Sequence, residues 1–493
     1  MSADDDGALP AEMPEALLNG ASVANVTRAV APRPWGNDGQ ASVDLLTVEL
    51  SDGATRKIVW KRAQVPLMEN RSKREADKRL ASFEAEAAFF TTCAPRLAAD
   101  TPVPTVWSLD YSWDKRSFEL LMSNLKADGY PRQPSELSLD LAKRALEWCA
   151  RLHAQFWHAP NPPGLWSIGS YHNLSKNAHT LRESRMRAHL KSIPAGHAYA
   201  SLAPRLFHAA VPLDEALHGE DPLHPPELDA LATAADEIAD EIVPAADEHG
   251  APPRRATRKR RRESDADAPP AVRLPLHRTV VHGDAKCENL FFAPQIAPQI
   301  APQIAPQIAP ERGDTPKAGG TAGGDTAGGG GTVVEAGGSS ALAHEARGGP
   351  CAAIDFQWAG RAVGSVDVVY LLTASLDDGL LDAHEGSLLR HYHSVLCERL
   401  RGRRAAGCDA PTAAHALSWS QLELEYNLAT LDFARFVLAD APLIEADAWL
   451  LERTHVLLSR LDGGKVGTPA EYREALRACA DSTAPDNPLT GLV

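Results

Sequence analysis

The sequence predicts an α+β chain of two lobes, a small β-rich N-lobe and a mainly α-helical C-lobe, carrying two low-complexity insertions. Three observations lead there. Strand-like runs alternate with one amphipathic helix over the first 125 residues. From Ser138 onward, apolar residues recur at steps of three and four, the period of a helix with one buried face. Two long stretches, 209–272 and 293–350, read as unfolded: the first is rich in proline and charge, the second is nearly devoid of large side chains.

Taken in order, residues 1–27 read as a flexible acidic N-terminus and 28–125 as the N-lobe. Within it, SVDLLTVEL and KIVWKRA are rich in β-branched and aliphatic residues and flank the turn SDG, so residues 42–64 predict a hairpin. READKRLASFEAEAAFFTTCA predicts a helix with Leu80, Phe83, Ala87 and Phe90 on one face. TPVPTVWSLDYSWDKRSFELLMSNL then gives two more strands around a charged turn. The C-lobe, 126–480, opens with a helix from Ser138 to Trp157 that aligns Ala142, Leu146, Cys149, Leu152 and Phe156. Residues 388–400, 419–439 and 443–462 are helical in pattern, and 481–493 form a C-terminal tail.

The insertions differ in kind. Residues 209–272 run from an acidic segment through RRATRKRRR, Arg254 to Arg262, into ESDADAPP. Residues 293–350 begin with four APQI units and continue as a tract rich in Gly, Ala and Thr. Proline at every fourth position forbids a continuous helix, and a four-residue period is far below the ~20 residues of a solenoid unit. An extended, polyproline-like spacer is the expected state.

A formal charge of −15 argues against a surface that holds nucleic acid or anionic lipid through overall positive charge. The seven cysteines are scattered without CxxC spacing, which fits reduced thiols inside the cell. No stretch reaches the roughly 18 apolar residues of a membrane span, and the N-terminus lacks the basic start of a signal peptide. The expected location is the cytoplasm, or the nucleus if the basic run acts as an import signal. That run also reads as a contact for an acidic partner, or as a solvated linker neutralised by its flanks.

Chemistry concentrates in VVHGDAKCENLFF, Val280 to Phe292, where a polar loop lies between two apolar runs. Asp284 could accept a proton from an attacking hydroxyl, and Asn289, five residues on, could ligate a divalent metal through its amide oxygen. Lys286 between them could face a phosphate. After the second insertion, CAAIDFQWAG ends an apolar strand on Asp355, a carboxylate suited to an Mg²⁺ site that also takes phosphate and water.

HGDAKCENLFF followed by IDFQ and VDVVYLL resembles the catalytic segment of the CHK-type, ecdysteroid-kinase-like family. That family belongs to the aminoglycoside and choline phosphotransferase superfamily, which has a protein-kinase-like fold. CARLHAQFW and FEAEAAFF match further family patterns, so the resemblance touches both lobes. It implies an ATP- and Mg²⁺-dependent kinase acting on a hydroxyl of a small molecule. By it Asp284 is the catalytic base, Lys286 stabilises the transferred group, and Asn289 and Asp355 hold Mg²⁺. Lys61 reaches the ATP phosphates and pairs with Glu86. Leu121 and Ser123, in FELLMSNL, line the adenine site, where backbone hydrogen bonds do most of the work. His282 braces the loop, and Asp367 hydrogen-bonds to it from the following helix. The sequence departs from the family in its glycine-rich loop, reduced to GNDGQAS at Gly36 to Ser42, and in Ser123 and Asn124, which stand at an acidic pair.

Two other functions stay open: an inactive nucleotide-binding scaffold whose insertions recruit partners, and a protein serine/threonine kinase, against which no activation segment separates IDFQ from VDVVYLL. His153 reads as a packed core residue. His391, His393 and Cys397 cannot all converge on a metal, because residues two apart on a helix point in different directions. Trp157, Trp166 and Trp358 are the candidate aromatic surface for an acceptor, which the sequence does not identify.

Overall fold

A computed structural model describes residue 10 and residues 13–30, 41–67, 70–174, 176–177, 197–219, 271–294, 350–405, 417–439 and 448–493. Gly36–Gln40 of the short glycine stretch, the basic run Arg254–Arg262 and the APQI units beyond Pro294 lie outside these residues.

Five antiparallel strands form one sheet in the order β1-β2-β3-β5-β4: β1 Val23–Val30, β2 Ala41–Leu50, β3 Thr55–Gln64, β4 Val106–Ser112 and β5 Ser117–Ser123. The period-2 alternation of a strand sorts its side chains. On β2 and β3, Leu46, Val48, Leu50, Ile58 and Trp60 share one face with Leu121 of β5, and Leu17 of the short helix α1 Glu15–Leu18 covers them. Lys61 and Ala63 turn to the other face, toward helix α2 Asn70–Ala88, whose Leu80, Phe83 and Ala87 are buried there. The expected flexible stretch 1–27 is therefore wrong from Glu15 onward: α1 packs on the sheet and β1 pairs with β2 in register Val26↔Val48. VANVTRAV is an edge strand with both faces largely solvated, so it carries no alternation to detect.

Helix α3 Leu139–Gln155 is capped by Ser138, and Ala142, Leu146, Cys149, Leu152 and Phe156 are all fully buried along its predicted face. Further helices are α4 Leu202–His218, α5 Ser365–Ser375, α6 Asp378–Ala405, α7 Trp419–Ala439, α8 Ala448–Asp462 and α9 Pro469–Ala478. Helix α4 corrects the start of the first insertion, because residues 209–218 are helical and buried. The proline and acids read there as loop signals are Pro212, inside the helix, and Asp214 and Glu215, which hydrogen-bond to Asn173 and Arg473. Helix α7 is buried on all sides from Gln421 to Ala439. Its Glu423 accepts from the Gly491 and Val493 amides, and Asn427 donates to the Leu489 carbonyl, so the tail 481–493 is docked rather than loose.

Two short ladders complete the frame. Strand β6 Arg278–Val281 pairs with β9 Gly360–Val363, and β7 Leu290–Phe292 pairs with β8 Cys351–Ala353. The stretch expected to be the second insertion, 293–350, falls between β7 and β8 in the chain, and its residues 295–349 lie outside the described ones. Phe292 faces Cys351, the Ala293 amide bonds to the Pro350 carbonyl, and the Arg144 guanidinium donates to the carbonyls of both Ala293 and Pro350 at 2.8 and 2.9 Å. Among the described residues no helix is long and apolar enough to cross a membrane, and the six described cysteines are free thiols.

Candidate active site

Lys61 is placed by the strand period and by the helix it faces. Its ammonium bonds both oxygens of Glu86, at 3.0 and 2.8 Å, and Oδ1 of Asp355 at 3.1 Å. Burial alone would lower its pKa, yet the Asp355 and Glu86 carboxylates outweigh burial and push Lys61 up to about 12. Residues 294 positions apart in sequence, Lys61 and Asp355, therefore meet as a part-buried ion pair.

Asp355 follows β8 in the left-handed region, at φ +67°, a conformation that aspartate adopts more readily than most residues. The next side chain fixes it there. Phe356 is fully buried, stacked on Phe89 at 3.6 Å between centroids and flanked by Phe90, Trp148 and His282.

The loop from His282 to Asn289 is pinned from below. Asp367 on α5 accepts from the His282 amide at 2.7 Å and the Gly283 amide at 2.8 Å, and its Oδ2 also lies 3.1 Å from His153 Nε2. Burial would raise Asp367, but His153, His282 and the Gly283 amide outweigh it and hold the carboxyl below its ordinary value. His153 Nδ1 lies 2.8 Å from the Tyr392 hydroxyl, so this core histidine links the loop's anchor to α6. His282 Nε2 faces the Ile354 carbonyl at 2.9 Å and its Nδ1 accepts from the Asp284 amide, which ties the loop to the residue before Asp355. Gly283 has φ +82°, and a methyl group there would sit 2.1 Å from the Trp358 carbonyl oxygen, so only glycine fits.

Asp284 is buried at the loop's tip. Asn289 Nδ2 donates to its backbone carbonyl and to Oδ2, at 2.8 and 3.0 Å, and Lys286 Nζ lies 3.4 Å from Oδ1. Burial pushes Asp284 above the usual carboxylate range, against the pull of Lys286 and of a hydrogen bond from Tyr370. That shift favours a proton acceptor. Tyr370, one helical turn beyond Asp367, is itself buried and held well above its ordinary pKa by burial and by Asp284.

Asn289 turns its amide nitrogen to Asp284, which leaves the amide oxygen on the opposite side. The Ile354 amide bonds the Asn289 carbonyl at 3.0 Å, so Asn289 and Asp355 emerge together from the open end of the β7–β8 ladder. Two hard oxygen donors suit Mg²⁺, which takes few protein ligands and completes its shell with phosphate and water. Among the described residues no group of three or more His, Cys, Asp or Glu could hold a metal.

The structure therefore joins Lys61, Glu86, Asp284, Lys286, Asn289, Asp355, His282 and Asp367 in one network. Leu121 and Ser123 stand apart in the sheet: the Leu121 side chain packs with Trp60, and the Ser123 amide is bonded to the Thr105 carbonyl. Trp157 also stands apart, stacked on His277, whereas Trp166 stacks on Trp358 at 5.7 Å. His393 Nε2 lies 3.5 Å from Cys397 Sγ, while His391 turns to Glu147. Sequence reasoning missed Tyr370 and Phe356. The signals were present, as a tyrosine inside the aliphatic run VDVVYLL and an aromatic directly after Asp355.

No family model matches the chain, and no curated protein matches it. Among solved structures it is similar to a microcompartment-associated aminopropanol kinase, at 12% identity, 94% of each chain and a TM-score of 0.36. It is similar to a candidate fructosamine-3-kinase from Thermobifida fusca, at 13% identity over 89% of this chain and 94% of the other, with a TM-score of 0.30. It is also similar to a thermostable aminoglycoside phosphotransferase variant in complex with ADP and hygromycin B, at 12% identity over 92% and 98% and a TM-score of 0.25. Likenesses with TM-scores this low carry no residue role across to the present chain.

Proposed function

We propose that the chain is a two-lobed, kinase-like phosphotransferase that moves the γ-phosphoryl group of ATP to a hydroxyl of a small molecule. The observation that carries this reading is the shared bonding of Lys61 to Glu86 and Asp355, with Asp284 and Asn289 hydrogen-bonded beside Asp355. A strand lysine, a buried base and two hard oxygen donors in one network suit phosphoryl transfer, which needs positioning and charge neutralisation more than covalent chemistry.

In this reading Asp284 accepts the acceptor's hydroxyl proton, with Tyr370 and Asn289 fixing its carboxylate. Lys61, steadied by Glu86, meets the nucleotide phosphates, and Lys286 meets the group in transfer. Asn289 and Asp355 would hold Mg²⁺, which when bound offsets phosphate charge. CHK-type membership, cytoplasmic location and a partner at Arg254–Arg262 belong to the same proposal and rest on the sequence alone.

Asp284→Asn is the direct test. It removes the proton acceptor while keeping the side chain's size, so transfer should fall by at least about 10²-fold with nucleotide affinity little changed. Full turnover in that variant would refute the role given to Asp284.

A further inference from the structure

The second half of the catalytic loop is fixed by contacts different from those that hold the first. Cys287–Asn289 form a single 3₁₀ turn, and Lys286, at its N-terminal end, is extended and gives it no side-chain cap. The first amide of such a turn has no partner within the turn, and Cys287 is buried away from water. Ser375, the last residue of α5, supplies the acceptor: its Oγ takes the Cys287 amide at 2.9 Å across 88 positions of sequence. The Ser375 carbonyl in turn accepts from the Leu137 amide at 2.7 Å, just before the cap of α3. Alternate residues of that same segment meet the turn directly. The Gln133 side chain donates to the Glu288 carbonyl at 2.7 Å, and the Ser135 carbonyl lies 3.2 Å from Cys287 Sγ.

We propose that Ser375 is a positioning residue for the metal-binding side of the loop, setting the turn from which Asn289 presents its amide oxygen. This deepens the phosphotransfer reading and rests on it for the metal. Helix α5 then holds the loop at three places: Asp367 takes the His282 and Gly283 amides, Tyr370 bonds Asp284, and Ser375 takes the Cys287 amide. At 3.6 residues per turn the three side chains share one side of the helix. A turn this short closes few bonds of its own, from the Asn289 amide to the Lys286 carbonyl and from the Leu290 amide to the Cys287 carbonyl, so its direction depends on outside anchors. Asn289 ends the turn and Lys286 precedes it. Loss of the Ser375 anchor therefore misdirects the metal ligand and the phosphate-facing lysine together.

The test compares Ser375→Ala, which removes the acceptor, with Ser375→Thr, which keeps a hydroxyl, in the full chain. Amide hydrogen exchange resolved to single residues is the readout that needs no activity. Exchange at Cys287 and Asn289 should quicken by at least about fivefold in the alanine variant, with His282 and Gly283 unchanged, and return toward the wild-type rate in the threonine variant. ADP binding is then measured by calorimetry, once with Mg²⁺ and once with EDTA. The gain in ADP affinity on adding Mg²⁺ should shrink by at least about fivefold in Ser375→Ala and be recovered in Ser375→Thr, with the affinity in EDTA unchanged. Unaltered exchange at Cys287, quickening that spreads equally to His282 and Gly283, or a threonine variant that behaves as the alanine one would overturn the proposal. Quickened exchange with the Mg²⁺ gain intact would overturn it too. Wild-type protein that binds ADP equally with and without Mg²⁺ would count against the phosphotransfer reading instead, and the exchange rates would still decide whether Ser375 holds the turn.

Discussion

The polar cluster and the stacked pair of Trp166 and Trp358 treat a lysine in opposite ways. Lys61 is bonded to two carboxylates and rises to about 12, whereas Lys176 lies on an indole and a carbonyl and falls to about 7. The first arrangement is complete without a ligand: each charge has a partner, and the geometry is set by residues from β3, α2 and the segment after β8. In the second, Lys176 and Lys78 lie over the Trp166 and Trp358 rings, and Lys78 also donates to the Lys176 carbonyl and to Asn177 Oδ1. The difference teaches that carboxylate partners outweigh burial around Lys61, whereas burial prevails around Lys176.

The most severe way to break this comparison is Lys61→Met. It leaves Glu86 buried and Asp355 part-buried without their cation, so transfer should fall by about 10²-fold or more and stability by about 3 kcal/mol, chiefly from the unpaired Glu86. Denaturant unfolding and turnover, measured side by side, check both losses. Lys176→Met should instead leave stability nearly unchanged, because desolvation already penalises its charge.

A second contrast lies at His172, a buried group without a fixed charge. His172, beside Tyr171 in the chain, is buried among Tyr370, Phe433 and Phe436, with Asp432 and Arg435 close by. Burial chiefly lowers its pKa to about 4. A depressed histidine contributes stability that is fully present above its unfolded value of about 6.5 and is lost as pH falls toward 4, up to about 3 kcal/mol in all. Melting temperatures from pH 7 to 4 should fall with this term in the wild type, and His172→Phe should flatten the curve.

The insertion tests whether the polar cluster depends on what joins its strands. Residues 293–350 close a hairpin that a turn of about four residues would serve, a difference of about 2.3 kcal/mol in loop closure. Replacing 295–349 by a short turn should stabilise the chain by about that amount and preserve turnover, since the β7–β8 register and the Arg144 clamp lie outside the replaced segment. Loss of activity would mean that the insertion contributes to the site.

The smallest effect sharpens the role of the base. The Tyr370 hydrogen bond lowers the Asp284 pKa, so Tyr370→Phe should raise it and move the acid limb of the pH–rate profile upward. A fall of about tenfold in kcat with little change in KM is expected, and an unmoved acid limb would leave Tyr370 a packing residue.

Part of the polar cluster was legible in the sequence because it is local: Asp284, Lys286 and Asn289 share one loop and Asp355 ends an apolar run. The pairing of Lys61 with Glu86 was implied only by the family resemblance. What escaped reading depends on distant partners. Tyr370 and Phe356 look like ordinary core residues until the fold sets them against Asp284 and Phe89. Asp214 and Glu215 read as loop residues because their partners, Asn173 and Arg473, lie 41 and 258 positions away. Trp157, expected with Trp166 and Trp358, faces His277 because its helix ends there.

One measurement bears on phosphoryl transfer most directly: incubating the full chain with γ-labelled ATP, Mg²⁺ and a library of hydroxyl compounds, beside Asp284→Asn. The account predicts label on at least one hydroxyl compound with the wild type and none with the variant, both binding ATP alike. Label that never leaves ATP, or that leaves equally well in both, would contradict it.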